Sequence, residues 1–176
     1  MTAEFRIALA GNPNSGKTTL FNALTGSRQH VGNYPGVTVE KKEGVYRLEN
    51  TKINIVDLPG TYSLTAYSEE EVVARDFLIY EKPQVVVNIV DAAYDRGIEI
   101  KEERLAEYLG VPVVPIIART GFGTQKLMEE TVRQAAKKKE WKPKAISYGD
   151  DIDSTLLDLQ DKITKGNFLT DTYPGR

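Results

Sequence analysis

The run Gly11-Asn12-Pro13-Asn14-Ser15-Gly16-Lys17-Thr18 has the residue types that hold a polyphosphate, in the spacing G-x-x-x-x-G-K-[ST]. Gly11 and Gly16 let the backbone fold into a nest of N–H donors around an anion. The apolar stretch Ile7-Ala8-Leu9-Ala10 precedes the run as a strand, and Thr19-Leu20-Phe21-Asn22-Ala23-Leu24 follows it as a helix. The start of that helix adds the positive end of its dipole. Lys17 is a point charge for the β- and γ-phosphates, and the Thr18 hydroxyl suits Mg²⁺. Every residue from Gly11 through Thr19 is therefore expected at a nucleotide's phosphate end.

A second constellation stands about 40 residues on, where the apolar run Lys52 to Val56 ends in Asp57-Leu58-Pro59-Gly60. A carboxylate there can hold Mg²⁺ through water, and the Gly60 N–H can sense a γ-phosphate. Between the two, Ser27 to Thr38 contains two glycines and a proline and reads as a mobile loop rather than a strand. It lies where switch proteins place the loop that closes on the γ-phosphate and its metal. Gly36, Val37 and Thr38 are the candidate contacts, Thr38 for both Mg²⁺ and phosphate. As a β-branched residue, Thr38 reads equally as the first residue of a strand.

The elements that must position these groups follow from pattern. Thr25-Gly26 stops the first helix. Val39 to Leu48 is strand-like, with Gly44 suggesting a bulge, and turns through Glu49-Asn50-Thr51 into the strand ending at Asp57. That antiparallel pair is expected at one edge of the sheet. Ser68-Glu69-Glu70-Glu71 is a capping box for a helix running toward Tyr80, with Val72, Val73 and Phe77 as its buried face. Its three glutamates read as complements to the helix dipole. Val85 to Val90 is a near-continuous apolar run, hence a buried parallel strand. Helix Lys101–Leu109 stops at Gly110, and Val111 to Ile117 is a further strand whose prolines argue for an edge or for non-ladder positions. Leu127, Met128, Val132, Ala135 and Ala136 mark an amphipathic helix ending in three lysines. Beyond Pro143, Asp153-Ser154 opens a last helix too sparse in apolar residues to form a core alone. The order predicts a three-layer α/β sandwich, mostly parallel, with ligand at the carboxyl ends of the strands.

Composition removes other chemistries. The chain has 176 residues and no cysteine, so thiolate metal sites and disulfides are excluded, and its one histidine, His30, cannot build a multi-histidine site. A net charge of −2 gives no electrostatic footprint for nucleic acid. No apolar run approaches the roughly 20 residues of a membrane span, so a soluble, cytoplasmic chain is expected.

The three phosphate motifs together resemble the GTPase domain of the FeoB family of prokaryotic ferrous iron transporters. The likeness rests on Gly11 to Thr18, on Val31-Gly32-Asn33-Tyr34-Pro35-Gly36-Val37-Thr38-Val39-Glu40 and on Asp57-Leu58-Pro59-Gly60-Thr61-Tyr62-Ser63-Leu64, and it covers most of residues 5–140. It implies a P-loop NTPase of small G-protein type over residues 1–142, binding GTP and GDP with Mg²⁺ on Thr18, Thr38 and Asp57. Residues 143–176 then resemble the start of a helical domain that leads to a membrane transport domain not present in this chain. The implied place is the cytoplasmic face of the bacterial inner membrane. It also implies K⁺ on Asn14, where an amide oxygen holds a monovalent cation beside the phosphates. A loop-shaping amide is the other role for that residue. Lys17, Thr38, Gly60 and Asn14 would be the catalytic set. Thr61 follows Gly60 where many GTPases carry a water-orienting glutamine, so slow, K⁺-assisted hydrolysis is expected.

The resemblance breaks at the base site. A guanine reader of the form Asn-Lys-x-Asp is absent, and the nearest candidate is Asn88-Ile89-Val90-Asp91, with Ala118-Arg119 as the second loop. Asp91 reads as the guanine acceptor or as a plain strand end. The spacing from Asp57 to Asn88 is short by one strand-helix unit, which implies either a genuine deletion near residues 91–96 or a segment absent from the sequence as given. A parallel sheet that loses an inner neighbour exposes a backbone edge, so a homodimer is expected, by element exchange near residues 88–100. Two other functions stay open: a nucleotide-binding regulatory module with little hydrolysis, and a P-loop ATPase with relaxed base choice.

Overall fold

The computed structural model describes residues 3–26, 28–64, 67–90, 100–137 and 147–166. It divides into two units, Met1–Glu140 and Trp141–Arg176. In the first, five strands form one sheet: β1 (Ala3–Gly11), β2 (Gln29–Asn33), β3 (Glu40–Leu48), β4 (Thr51–Asp57) and β5 (Val85–Ile89). Their order is β2-β3-β4-β1-β5. β1 runs parallel to β4, with Leu9 opposite Asp57, and parallel to β5, with Gly11 opposite Ile89. The carboxyl ends of these three strands therefore meet at one rim, and there the chain leaves β1 for helix α1 (Lys17–Thr25).

Alternation along β1 sends successive side chains to opposite faces, and each face has its own core. Ile7, Leu9, Ile53 and Ile55 pack with Leu20, Phe21 and Leu24 of α1 and Met128 of helix α4 (Thr124–Ala136). Ala8, Val56 and Leu58 pack on the other face with Tyr34 and with Val73 and Ala74 of helix α2 (Glu69–Asp76). Phe77, first residue of a π-helical turn over Phe77–Glu81, completes that second cluster. The expected three-layer sandwich with a mostly parallel sheet is what the chain forms. Helix α3 (Glu102–Leu109) ends at Gly110 in the left-handed conformation, as its sequence predicts. In the second unit, α5 spans Asp150–Lys165, beginning three residues before the expected start.

Five expectations are corrected. Gln29–Asn33 is a strand, not a loop, because its backbone finds a ready antiparallel partner in Glu40 to Gly44. That strand, and not the β3–β4 pair, forms one edge of the sheet. Gly44 sits in unbroken register opposite Ile55, so there is no bulge. A side-chain carbon there would overlap Thr25 at the end of α1, and glycine is what lets helix and strand approach. β5 is not buried on both faces: Val86 is 43% exposed, and Asn88 is exposed. It has one strand neighbour among the described residues, so one face and one edge stay open. Residues 111–117 form no strand among the described residues beyond a single bridge from Ile117 to Phe122. Pro112 and Pro115 lack the N–H a ladder needs.

Candidate nucleotide site

A cleft of about 540 Å³ opens at the carboxyl rim, lined by Asn12, Pro13, Asn14, Gly16, Lys17, Thr18, Thr19 and Gly60. Local backbone chemistry shapes it. Gly16, at φ 85°, turns the chain into α1, and Asn14 is also left-handed at φ 65°, a conformation its short amide tolerates well. The Ser15 N–H donates to the Asn12 carbonyl at 3.2 Å and closes the loop. Gly11 lies buried below, where a side-chain carbon would come 2.6 Å from the Ile89 carbonyl oxygen. The end of β5 thus presses against the start of the loop. The Ser15 hydroxyl is buried beside Gly11 with no hydrogen-bond partner among the described residues.

The Asp57 loop is stitched to the same place. The Leu58 N–H donates to the Leu9 carbonyl at 3.0 Å, and the Thr61 N–H donates to the Gly11 carbonyl at 3.1 Å. Gly60 then stands close against Pro13: a side-chain carbon there would lie a tight 3.1 Å from the Pro13 backbone. Gly60 lines the cleft, at the position where the sequence leads one to expect a phosphate sensor.

Lys17 and Asp57 form an ion pair at 2.5 Å, the side chains 9% and 6% exposed. Burial pushes the Asp57 carboxyl above its ordinary range, although the Lys17 hydrogen bond and charge pull the other way. Thr18 is exposed on the first turn of α1 and lines the cleft, whereas Asp57 is buried against Lys17 and is not part of that lining. Hydroxyl and carboxylate oxygens suit Mg²⁺, so the two residues fit that ion by donor type.

Other candidates stand elsewhere. Thr38 and Gly36 are exposed and Val37 half-buried, and none of the three lines the cleft. Asn88 is exposed near the end of β5 and also lies outside the lining. Ala118 packs on the first core cluster, and Arg119 is exposed. Asp91 lies outside the described residues, as do the proposed deletion point and most of the exchange segment.

Glu71 has a role its sequence reading missed. Ser68 caps α2 by accepting from the Glu71 N–H at 3.2 Å, as expected. The Glu71 carboxylate is buried and accepts from the backbone N–H groups of Ser63, at 3.2 Å, and Tyr67, at 3.1 Å. One side chain therefore gathers the segment after Gly60 onto the helix. The signal was present: the last residue of a capping box reaches back toward the cap, and here it reaches past Ser68 to Tyr67 and Ser63.

Comparison with known proteins agrees with this geometry. The family model described as "Ferrous iron transport protein B" matches residues 5–94 and 85–131. A Porphyromonas gingivalis protein named Fe(2+) transport protein A/Fe(2+) transporter FeoB fusion protein is 38% identical over 202 residues. That match takes in 97% of this chain and 24% of the relative, so the chain spans about a quarter of that protein's length. Since the chain has 176 residues, at least 26 residues of the relative's matched stretch have no counterpart here. Among solved structures, the cytosolic domain of the T. maritima FeoB iron transporter in its GDP form II aligns with a TM-score of 0.83 and 36% identity. It covers 92% of this chain and 75% of that one. The GMPPNP form of the same domain aligns with a TM-score of 0.81 and 36% identity, over 91% and 74%.

Proposed function

The chain belongs to the ferrous iron transport protein B family, and from that premise we infer that it is a GTP-binding switch domain that hydrolyses GTP to GDP and phosphate in the service of Fe²⁺ uptake. The observation that carries this reading is the cleft in which the Gly11–Thr19 loop and Gly60 converge. Loop amides and the Lys17 ammonium would neutralise the phosphates, and the Gly60 N–H would report the γ-phosphate. Thr18 and Asp57 would hold Mg²⁺, which supplies charge neutralisation at the β- and γ-oxygens. Thr38 would join them from its loop. Asn14, already at the cleft wall, would place its amide oxygen for K⁺, and hydrolysis would be slow because Thr61 cannot orient water as a glutamine does.

Asn88 and Asp91 would read the base, with Ala118 and Arg119 beside them. The two-part family match, overlapping at residues 85–94, and the relative's unmatched residues support the shortened-sheet reading. No helix among the described residues is long and apolar enough to cross a membrane. We take residues 1–142 as the GTPase unit and 143–176 as the start of a helical connection to a membrane domain, at the cytoplasmic side of the bacterial inner membrane. The open edge of β5 would be closed by a second copy.

A second reading, a nucleotide-binding regulatory module with little turnover, is favoured by Thr38 standing outside the cleft. Titration with fluorescent GDP and ADP, followed by single-turnover hydrolysis of GTP with Mg²⁺ in KCl and in NaCl, tests both. Selective guanine binding with faster turnover in KCl supports the switch. Binding without turnover supports the module, and equal affinity for ADP overturns guanine selectivity.

A further inference from the structure

The loop bearing Thr38 hangs from a single buried aromatic ring. Tyr34 is 7% exposed, the most enclosed residue of the stretch between β2 and β3. Its N–H donates to the Val39 carbonyl at 2.9 Å, and its own carbonyl accepts from the Val37 N–H at 3.3 Å. Pro35 followed by Gly36 at φ 77° gives that turn the type II form. Residues 34–39 thus make a small closed loop whose two hydrogen bonds both return to Tyr34. The ring of Tyr34 meets the ring of Phe77 edge to face, centroids 6.3 Å apart and planes at 82°. Phe77 is 5% exposed and is where α2 changes into the π-helical turn, a break in periodicity that natural helices keep mostly where function needs it. Cations flank the pair on both sides: the Lys41 ammonium lies 5.7 Å from the Tyr34 ring, and the Arg6 guanidinium 5.8 Å from the Phe77 ring.

We propose that Tyr34 is a positioning residue: through its ring contact with Phe77 it makes the Thr38 loop and the helix that follows Gly60 move as one body. The inference rests on the GTPase reading for its consequence, because the Thr38 loop carries the metal ligand of that reading and the helix follows its phosphate sensor, Gly60. The ring does the anchoring, since the Tyr34 hydroxyl is buried without a hydrogen-bond partner among the described residues. The burial and the negative charges of Asp57 and Glu43 hold that hydroxyl protonated, well above the ordinary tyrosine range. A close-packed ring in such a socket is either seated or withdrawn, and packed interiors pass on such two-position changes rather than absorbing them.

The test uses the whole chain with Tyr34→Phe, Tyr34→Leu, Phe77→Leu and the double Leu variant. Hydrogen exchange of the nucleotide-free protein reads the link directly. Phe77→Leu should speed exchange at the Val37 amide while leaving Ile55 in the sheet core unchanged. Equal acceleration of both, or of neither, overturns the proposal. The ratio of affinities for a non-hydrolysable GTP analogue and GDP reads the consequence. Tyr34→Leu and Phe77→Leu should each lower it by about fivefold or more, the double variant no further, and Tyr34→Phe should restore it. Additive losses, or failure of Tyr34→Phe to restore the ratio, overturn it as well. If the wild-type chain binds neither nucleotide, the GTPase reading fails, and hydrogen exchange still decides the link.

Discussion

The Lys17 ammonium donates to the Asp57 carboxylate across 40 positions of sequence, joining the two phosphate-site motifs inside the protein. Neither charge is solvated, so each depends on the other. Lys17→Met should therefore destabilise the chain by about 3–5 kcal/mol, because it strands a buried carboxylate. Lys17→Met with Asp57→Leu should recover most of that loss, since apolar groups of similar volume replace a buried pair at little cost. Urea denaturation of the two variants checks the order.

Asp57 also sets a pH dependence. Its carboxyl titrates above the usual aspartate value of 3.8 because burial outweighs the pull of Lys17. The folded chain therefore holds that proton more tightly than the unfolded chain. The stability it contributes is complete below the unfolded value and is lost as pH rises through the raised folded value. Asp57→Asn should remove this component, seen as a flatter acid limb in the difference between the two denaturation curves. In the GTPase reading the Mg²⁺-dependent part of nucleotide affinity should weaken on acidification at a higher pH than an ordinary aspartate would give.

Gly44 offers a purely steric test. A methyl group there collides with Thr25, whose hydroxyl donates to the Phe21 carbonyl at 2.7 Å and holds the end of α1 in place. Gly44→Ala should cost about 1–3 kcal/mol, as overpacking does. Thermal unfolding reads it, and an unchanged midpoint would mean that helix and strand separate freely.

Glu71 holds the backbone N–H groups of Ser63 and Tyr67 from a buried position, so Glu71→Ala should remove the carboxylate to which both donate. Exchange at the Ser63 and Tyr67 amides should rise, with the core strands unaffected. Glu71→Gln keeps an acceptor oxygen and should show a smaller rise, because a neutral acceptor is weaker than a carboxylate.

The parts of this site that are local in sequence were legible there. The loop from Gly11 to Thr18, the cap at Ser68 and the stop at Gly110 each depend on neighbours a few residues away, and residue type declares them. β2 was not legible, because Gln29 to Asn33 becomes a strand only by pairing with β3. Gly44 looked like a bulge because its reason, the end of α1, is distant in sequence. β5 looked buried because its apolar run matches an inner strand, while its outer neighbour is missing among the described residues. Tyr34 read as part of a loop, since nothing near it in sequence announces Phe77.

That open strand yields the last prediction. β5 runs Val-Val-Val-Asn-Ile, with no lysine, proline or bulge of the kind that shields natural edges. Val86, at 43%, and Val90, at 73%, add exposed apolar surface on the same side. An antiparallel pairing of two copies across a two-fold axis would give each edge an equal partner without opposing like charges. The wild-type chain should therefore sediment with a concentration-dependent mass rising toward the dimer. Val86→Lys should shift it toward monomer by setting two ammonium groups near each other in the paired form. Retained circular dichroism would show that the fold survives the change. A wild-type chain that stays monomeric at high concentration would mean that this edge is closed from within its own chain.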